Sequence, residues 1–118
     1  MNPLEATDCL LHDLPELSQT ISTTGQPVSI YQTIQAFVQL TCQQVTAHNY
    51  KAAKHCFLLA DKLYEQGNAV VRQAIENVFV FSLDRVFKQA REEKMEVRGL
   101  VPGSLYSVYM RQVMHGGC

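Results

Sequence analysis

The sequence predicts an all-α fold, a compact bundle of about five helices forming one domain over residues 1–118. Three observations predict it. Apolar residues return at the three- and four-residue spacing of a helical face along most of the chain. Residues that start helices (Asn, Ser) and glycines that stop them bracket the periodic segments. The one apolar run that could form a strand, Val78 to Phe81, is embedded in helical spacing on both sides.

At the N-terminus, Asn2 is a helix cap and Pro3 suits the first turn, while Glu5 and Asp8 favour the positive end of the helix dipole. Leu10, Leu14, Leu17 and Ile21 continue the spacing, but Pro15 demands a kink or a short second helix capped by Asp13. Residues 22–28 read as a loop. The next helix spans about 29–47. Its apolar face is Ile30, Ile34, Phe37, Val38, Thr41 and Val45, and Gln32, Gln35, Gln39 and Gln43 line the other. Ser29 with Gln32 three residues on forms a capping box. A helix over about 50–66 puts Tyr50, Ala53, Phe57, Ala60 and Tyr64 on one face, with Gly67 as a left-handed stop.

Asn68 can cap the longest element, a central helix that continues without Gly or Pro to about residue 96. Val71, Ile75, Val78, Phe79, Leu83, Val86 and Ala90 make a broad stripe on it, yet Val80, Phe81 and Phe87 fall outside. A helix apolar on several sides is packed on several sides, which places this one at the centre. Gly99 to Gly103 breaks the chain, and a last helix of about 104–114 carries Leu105, Val108, Tyr109 and Val113.

The helices at 29–47 and 50–66 resemble a tetratricopeptide-type helical pair through Phe37, Leu40 and Thr41 in the first and Tyr50, Ala53, Phe57 and Ala60 in the second. Where that repeat carries a tryptophan, a glycine and a tyrosine, this chain has Phe37, Thr41 and Gln44, and no second copy closes after Asn68. A longer resemblance runs through residues 10–17 (LLHDLPEL), 63–68 (LYEQGN) and 74–83 (AIENVFVFSL). In these segments the chain is similar to an uncharacterised family of small all-helical bacterial proteins, a domain of unknown function. That resemblance implies fold and bacterial origin, and no functional residue.

Charge narrows the function classes. Eleven acids against ten bases give a net charge of −1, which supplies no field for a phosphate backbone, so nucleic acid is not expected as a partner. No apolar run approaches the ~20 residues of a bilayer span and no export signal opens the chain, so a cytoplasmic protein with its four cysteines reduced is expected. The charges fall into blocks. Residues 1–16 hold four acids and no base, Leu17 to Tyr50 hold no charge, and 51–98 hold nine bases and seven acids.

Cys9-x-x-His12 and His115-x-x-Cys118 would close a Cys₂His₂ metal site if the termini met, but a core-facing Cys9, a surface His12 and a Gly-rich tail are the stronger reading. No cofactor or small-molecule ligand is indicated. His55 and Cys56 are adjacent on a helix and point about 100° apart, too far round for a nucleophile and its base, so Cys56 reads as a core thiol. His48 reads as a turn residue with no carboxylate near it in sequence. Glu76 lies with Gln73, Asn77 and Asp84 on a face expected to be solvated. Arg85, Lys88, Arg91, Lys94 and Arg98 interleave with acids and read as a solvated helix end.

These readings favour a non-enzymatic domain that binds a protein or its own copy through an exposed helical face. The candidate residues are Gln32, Gln35, Gln39 and Gln43, neutral and cheaper to desolvate than charges, with the off-stripe Val80 and Phe81. A plainer expectation has the last helix cover Val80 and Phe81 through Leu105, Tyr109 and Val113. An immunity or toxin-neutralising protein using the acidic residues 1–16 is the alternative. A small enzyme built on Glu76, His55 or His12 is a further one.

Overall fold

Side chains, not backbone alone, close the helix starts. In the computed structural model, which describes residues 1–17 and 29–116, α1 spans Pro3–Asp13 and opens on a full capping box. The Asn2 side chain accepts from the Glu5 N–H at 2.8 Å, and Glu5 reaches back to the Asn2 N–H at 3.2 Å, so Glu5 is a cap partner as well as a dipole charge. Helix α2, Ile30–Thr46, begins on the Ser29–Gln32 box expected from the sequence. Asn49 caps α3, Tyr50–Gln66, and Asn68 caps the segment that follows. The helix expected to carry Ile21 and the loop at 22–28 lie outside the described residues.

The central segment is helical but not one uniform helix. It consists of α4 (Ala69–Ala74), a π-helical stretch (Ile75–Val80), α5 (Leu83–Ala90), a 3₁₀ turn (Arg91–Glu93) and α6 (Lys94–Arg98). Helix α7, Gly103–Gly116, closes the bundle. The wide turn corrects the expectation of an unbroken helix over 68–96. Val71, Ile75, Phe79 and Leu83 follow at steps of four, and all are buried. In an α-helix each step of four overshoots a full turn by about 40°, so three steps would carry the stripe about 120° round the axis. A wider π turn takes up that drift and holds all four side chains toward the core.

Helices α2 and α3 form an antiparallel hairpin against which the central segment packs. Phe37 of α2 and Phe57 of α3 both meet Phe79 of the π stretch, with ring centroids 5.0 and 6.1 Å away. Such aromatic contacts are worth roughly 0.5–1.5 kcal/mol beyond buried area. Helix α2 also contacts α1, α4 and α5, and this accounts for its lack of charge: most of its circumference is covered. Its two buried threonines, Thr33 and Thr41, satisfy their hydroxyls on the carbonyls of Ser29 and Phe37 one turn back.

Two turns correct the sequence reading. Gly67 is extended (φ −72°, ψ 152°), not left-handed. Glycine is required there by space: a Cβ would stand 2.4 Å from the Leu63 carbonyl oxygen and 2.5 Å from Val71 Cγ1. The left-handed residue is His48 (φ 60°), in the turn between α2 and α3. Its ring nitrogen Nδ1 lies 3.4 Å from Glu93, a carboxylate distant in sequence that tertiary packing supplies.

Candidate functional site

Among the described residues Phe81 is one of the large apolar side chains the fold leaves uncovered, with Leu4, Met95 and Met114, and it is the aromatic one of that set. It follows the π stretch directly, and whereas Phe79 and Val80 are buried, Phe81 is 74% exposed. It stands as a ridge between two hollows. One, of about 550 Å³, lies between the central segment and α7 and is lined by Phe81, Asp84, Arg85, Lys88, Tyr109 and Val113, among others. The second, of about 350 Å³, lies between the central segment and α2, where Gln35, Gln39 and Val38 face Asn77, Phe81 and Arg85. Val113, at 42% exposure, adds apolar surface beside the ring.

The polar groups around Phe81 are mutually engaged. The Tyr109 hydroxyl donates to Asp84. Burial first, and then that carboxylate's hydrogen bond and charge, push Tyr109 up to about 12. The Gln112 side-chain amide donates to the Glu76 backbone carbonyl at 2.9 Å. The Glu76 carboxylate accepts from Tyr64 Oη at 2.7 Å, and the Arg72 guanidinium sits 4.9 Å above the Tyr64 ring. Glu76 is therefore half-buried and bonded, whereas Gln73, Asn77 and Asp84 are exposed.

The structure divides the residues singled out in the sequence. Gln35 and Gln39 join Phe81 at one hollow. Gln43 is exposed on α2 but lines neither hollow, and Gln32 is occupied in the Ser29 capping box. Val80 is wholly buried and belongs to the core, so the idea that it adds to an exposed face is corrected. Val80 is buried as the plainer expectation required, whereas Phe81 is left uncovered by α7. Arg85, which lines both hollows, was read only as part of a solvated charge series. The signal for it was available: Arg85 lies four residues after Phe81, on the same helical face.

Elsewhere, Cys56 is buried beside Thr41, and burial pushes its thiol up. Burial likewise raises Cys42, against the lowering effect of nearby Arg85. His12 is exposed and Cys9 half-buried, while Cys118, the far member of the conjectured metal set, lies outside the described residues. Among the described residues no group of three or more His, Cys, Asp or Glu is placed to hold a metal ion. His55 lies in a shallow open depression with Leu58 and Lys54. Asp61 Oδ1 is buried without a hydrogen-bond partner among the described residues, and burial, then the Glu65 charge, raises its carboxyl.

A family model described as a domain of unknown function (DUF7674) matches residues 7–115. The chain belongs to the DUF7674 family. All three segments that carry the sequence resemblance, residues 10–17, 63–68 and 74–83, fall inside the matched region. So do Phe81, both hollows around it, and α7 up to its last residue. No curated protein and no solved structure matches the chain. No helix among the described residues is long and apolar enough to cross a membrane.

Proposed function

We propose that this DUF7674 chain is a non-enzymatic, cytoplasmic protein-binding module that docks a protein partner, or a second copy of itself, over Phe81 with Gln35 and Gln39. The observation that carries the reading is the Phe81 ring, exposed as a ridge between two hollows. Aromatic anchors flanked by pockets dominate protein interfaces, and a rim of neutral glutamines costs less to desolvate than one of charges. The two carboxylates nearest the ridge, Glu76 and Asp84, already accept tyrosine hydroxyls, which suits structure better than acid–base chemistry. The tetratricopeptide-like spacing of α2 and α3 belongs to the same reading, since such hairpins form binding surfaces. An immunity or toxin-neutralising role for residues 1–16 has less support, because Glu5 is engaged in capping α1.

A photo-crosslinking side chain placed at position 81, with a control at exposed Lys62 on α3, tests the reading in the native cell. The expected result is a discrete adduct from position 81, absent from position 62 and lost when Gln35 and Gln39 are both changed to glutamate. No adduct at 81, or equal adducts at both positions, would overturn it.

A further inference from the structure

Charge is segregated by sign around two exposed apolar side chains. Residues 1–16 carry four acids and no base, and α1 turns Leu4, 72% exposed, and Asp8, four residues on, toward solvent. At the ridge the same spacing carries the opposite charge: Arg85 follows Phe81 by four residues and Lys88 comes three later, all exposed. Both cations line the hollow between the central segment and α7, where the one acid, Asp84, already accepts the Tyr109 hydroxyl. The hollow toward α2 has Arg85 and no acid. Among the described residues the sole ion pair joins His48 to Glu93, which leaves Asp8, Arg85 and Lys88 without a charged partner in their own chain.

We infer that the Phe81 ridge takes a second copy of this chain head to tail, with Leu4 of one α1 against Phe81 and Asp8 beside Arg85 and Lys88. In helical backbone four residues rise about 6 Å, so a helix laid along the segment that brings Leu4 to Phe81 and Val113 also brings Asp8 to the cations. Within one chain this match is unmade. Helix α1 packs on α2 and α4 with Ala6 and Leu10 buried, and the Asn68 N–H donates to the Met1 carbonyl at 2.7 Å, which pins its start and leaves the Leu4–Asp8 face outward. A ridge-on-ridge contact would crowd Arg85 and Lys88 against their own copies, whereas the head-to-tail contact sets opposite charges together. Its two faces differ, so every pair keeps one free ridge and one free α1, and association continues past the dimer. The inference rests on the docking reading of Phe81 and names its occupant.

Sedimentation of the intact chain at rising concentration should give species larger than a dimer. Asp8→Arg and Arg85→Glu should each weaken association about tenfold, since one attraction is replaced by a repulsion, with the unfolding midpoint unchanged. Leu4→Ser should weaken it by a similar factor with no change of charge, and serves if a charge variant does not fold. Mixing the two charge variants is decisive. The intact α1 of Arg85→Glu meets the intact ridge of Asp8→Arg, so the mixture should form a dimer and stop there. A chain that stays monomeric at millimolar concentration, single changes that leave association unaltered, or a mixture that does not dimerise overturns the inference. A monomeric chain whose position 81 crosslinks a different protein discards the second copy and keeps the docking reading, whereas no crosslink at 81 discards the docking reading as well.

Discussion

Helix α2 and the central segment lie side by side, yet they solve the same packing problem in opposite ways. Helix α2 is a regular α-helix with no charged residue, covered by neighbours on most of its circumference. The central segment is rich in charge and passes through π and 3₁₀ turns. Both carry buried residues at three successive steps of four, Thr33, Phe37, Thr41 and Val45 in α2 and Val71, Ile75, Phe79 and Leu83 in the central segment. The central segment takes up those steps through a π turn, whereas α2 carries them as a regular α-helix. The regular helix keeps its buried and exposed faces apart, whereas the irregular segment buries Phe79 and Val80 and leaves the next residue, Phe81, outside.

The sharpest way to break the comparison is at adjacent aromatic positions of the irregular segment. Phe79→Ala removes the ring that joins α2 to α3 and should cost about 3–5 kcal/mol in denaturant unfolding, whereas Phe81→Ala should stay within about 0.5 kcal/mol. Equal losses would mean that Phe81 is core and the contrast between the two sides false. Next in size is Gly67→Ala at the junction leading into the segment. Its Cβ must push aside the Leu63 carbonyl and Val71, and a loss of about 1–3 kcal/mol should appear as a lower unfolding midpoint. A neutral result would show that the junction yields without strain.

On the regular side, Ser29→Ala deletes half of a capping box and should lower stability by about 1 kcal/mol, with fraying confined to the first turn of α2 by hydrogen exchange. The smallest effect is confined to alkaline solution. Tyr109 ionises at about 12 in the folded chain against about 10 unfolded, so its contribution is fully present below pH ~10 and fades as pH rises toward 12. Absorbance titration should show one tyrosine ionising late, and Asp84→Asn should bring it down. A Tyr109 that titrates near 10 would remove its hydrogen bond to Asp84.

Much of the architecture was legible because its signals are local. The caps at Asn2, Ser29, Asn49 and Asn68 each use a side chain within three residues of the N–H it accepts from. The hairpin boundaries follow from those caps and from the 3.6-residue period. What escaped the sequence reading involves contacts between distant residues: Glu93 beside His48, Gln112 on the Glu76 carbonyl, and Tyr109 on Asp84. Of the candidate surface residues, Gln35, Gln39 and Phe81, picked out by their position on helical faces, are exposed around one hollow. Val80 was misplaced because a wheel drawn at 100° per residue does not describe a π turn.

By itself the sequence determined that this chain is helical, where its first helices begin, and that the 68–96 stretch must be packed on several sides. Periodicity and capping act within a turn or two, and their physics needs no partner segment. Only the tertiary structure decided which of Val80 and Phe81 is covered. That outcome depends on how the central segment packs against α2, α3 and α7 and on the π turn within it. It is a competition among packing arrangements that no local pattern records.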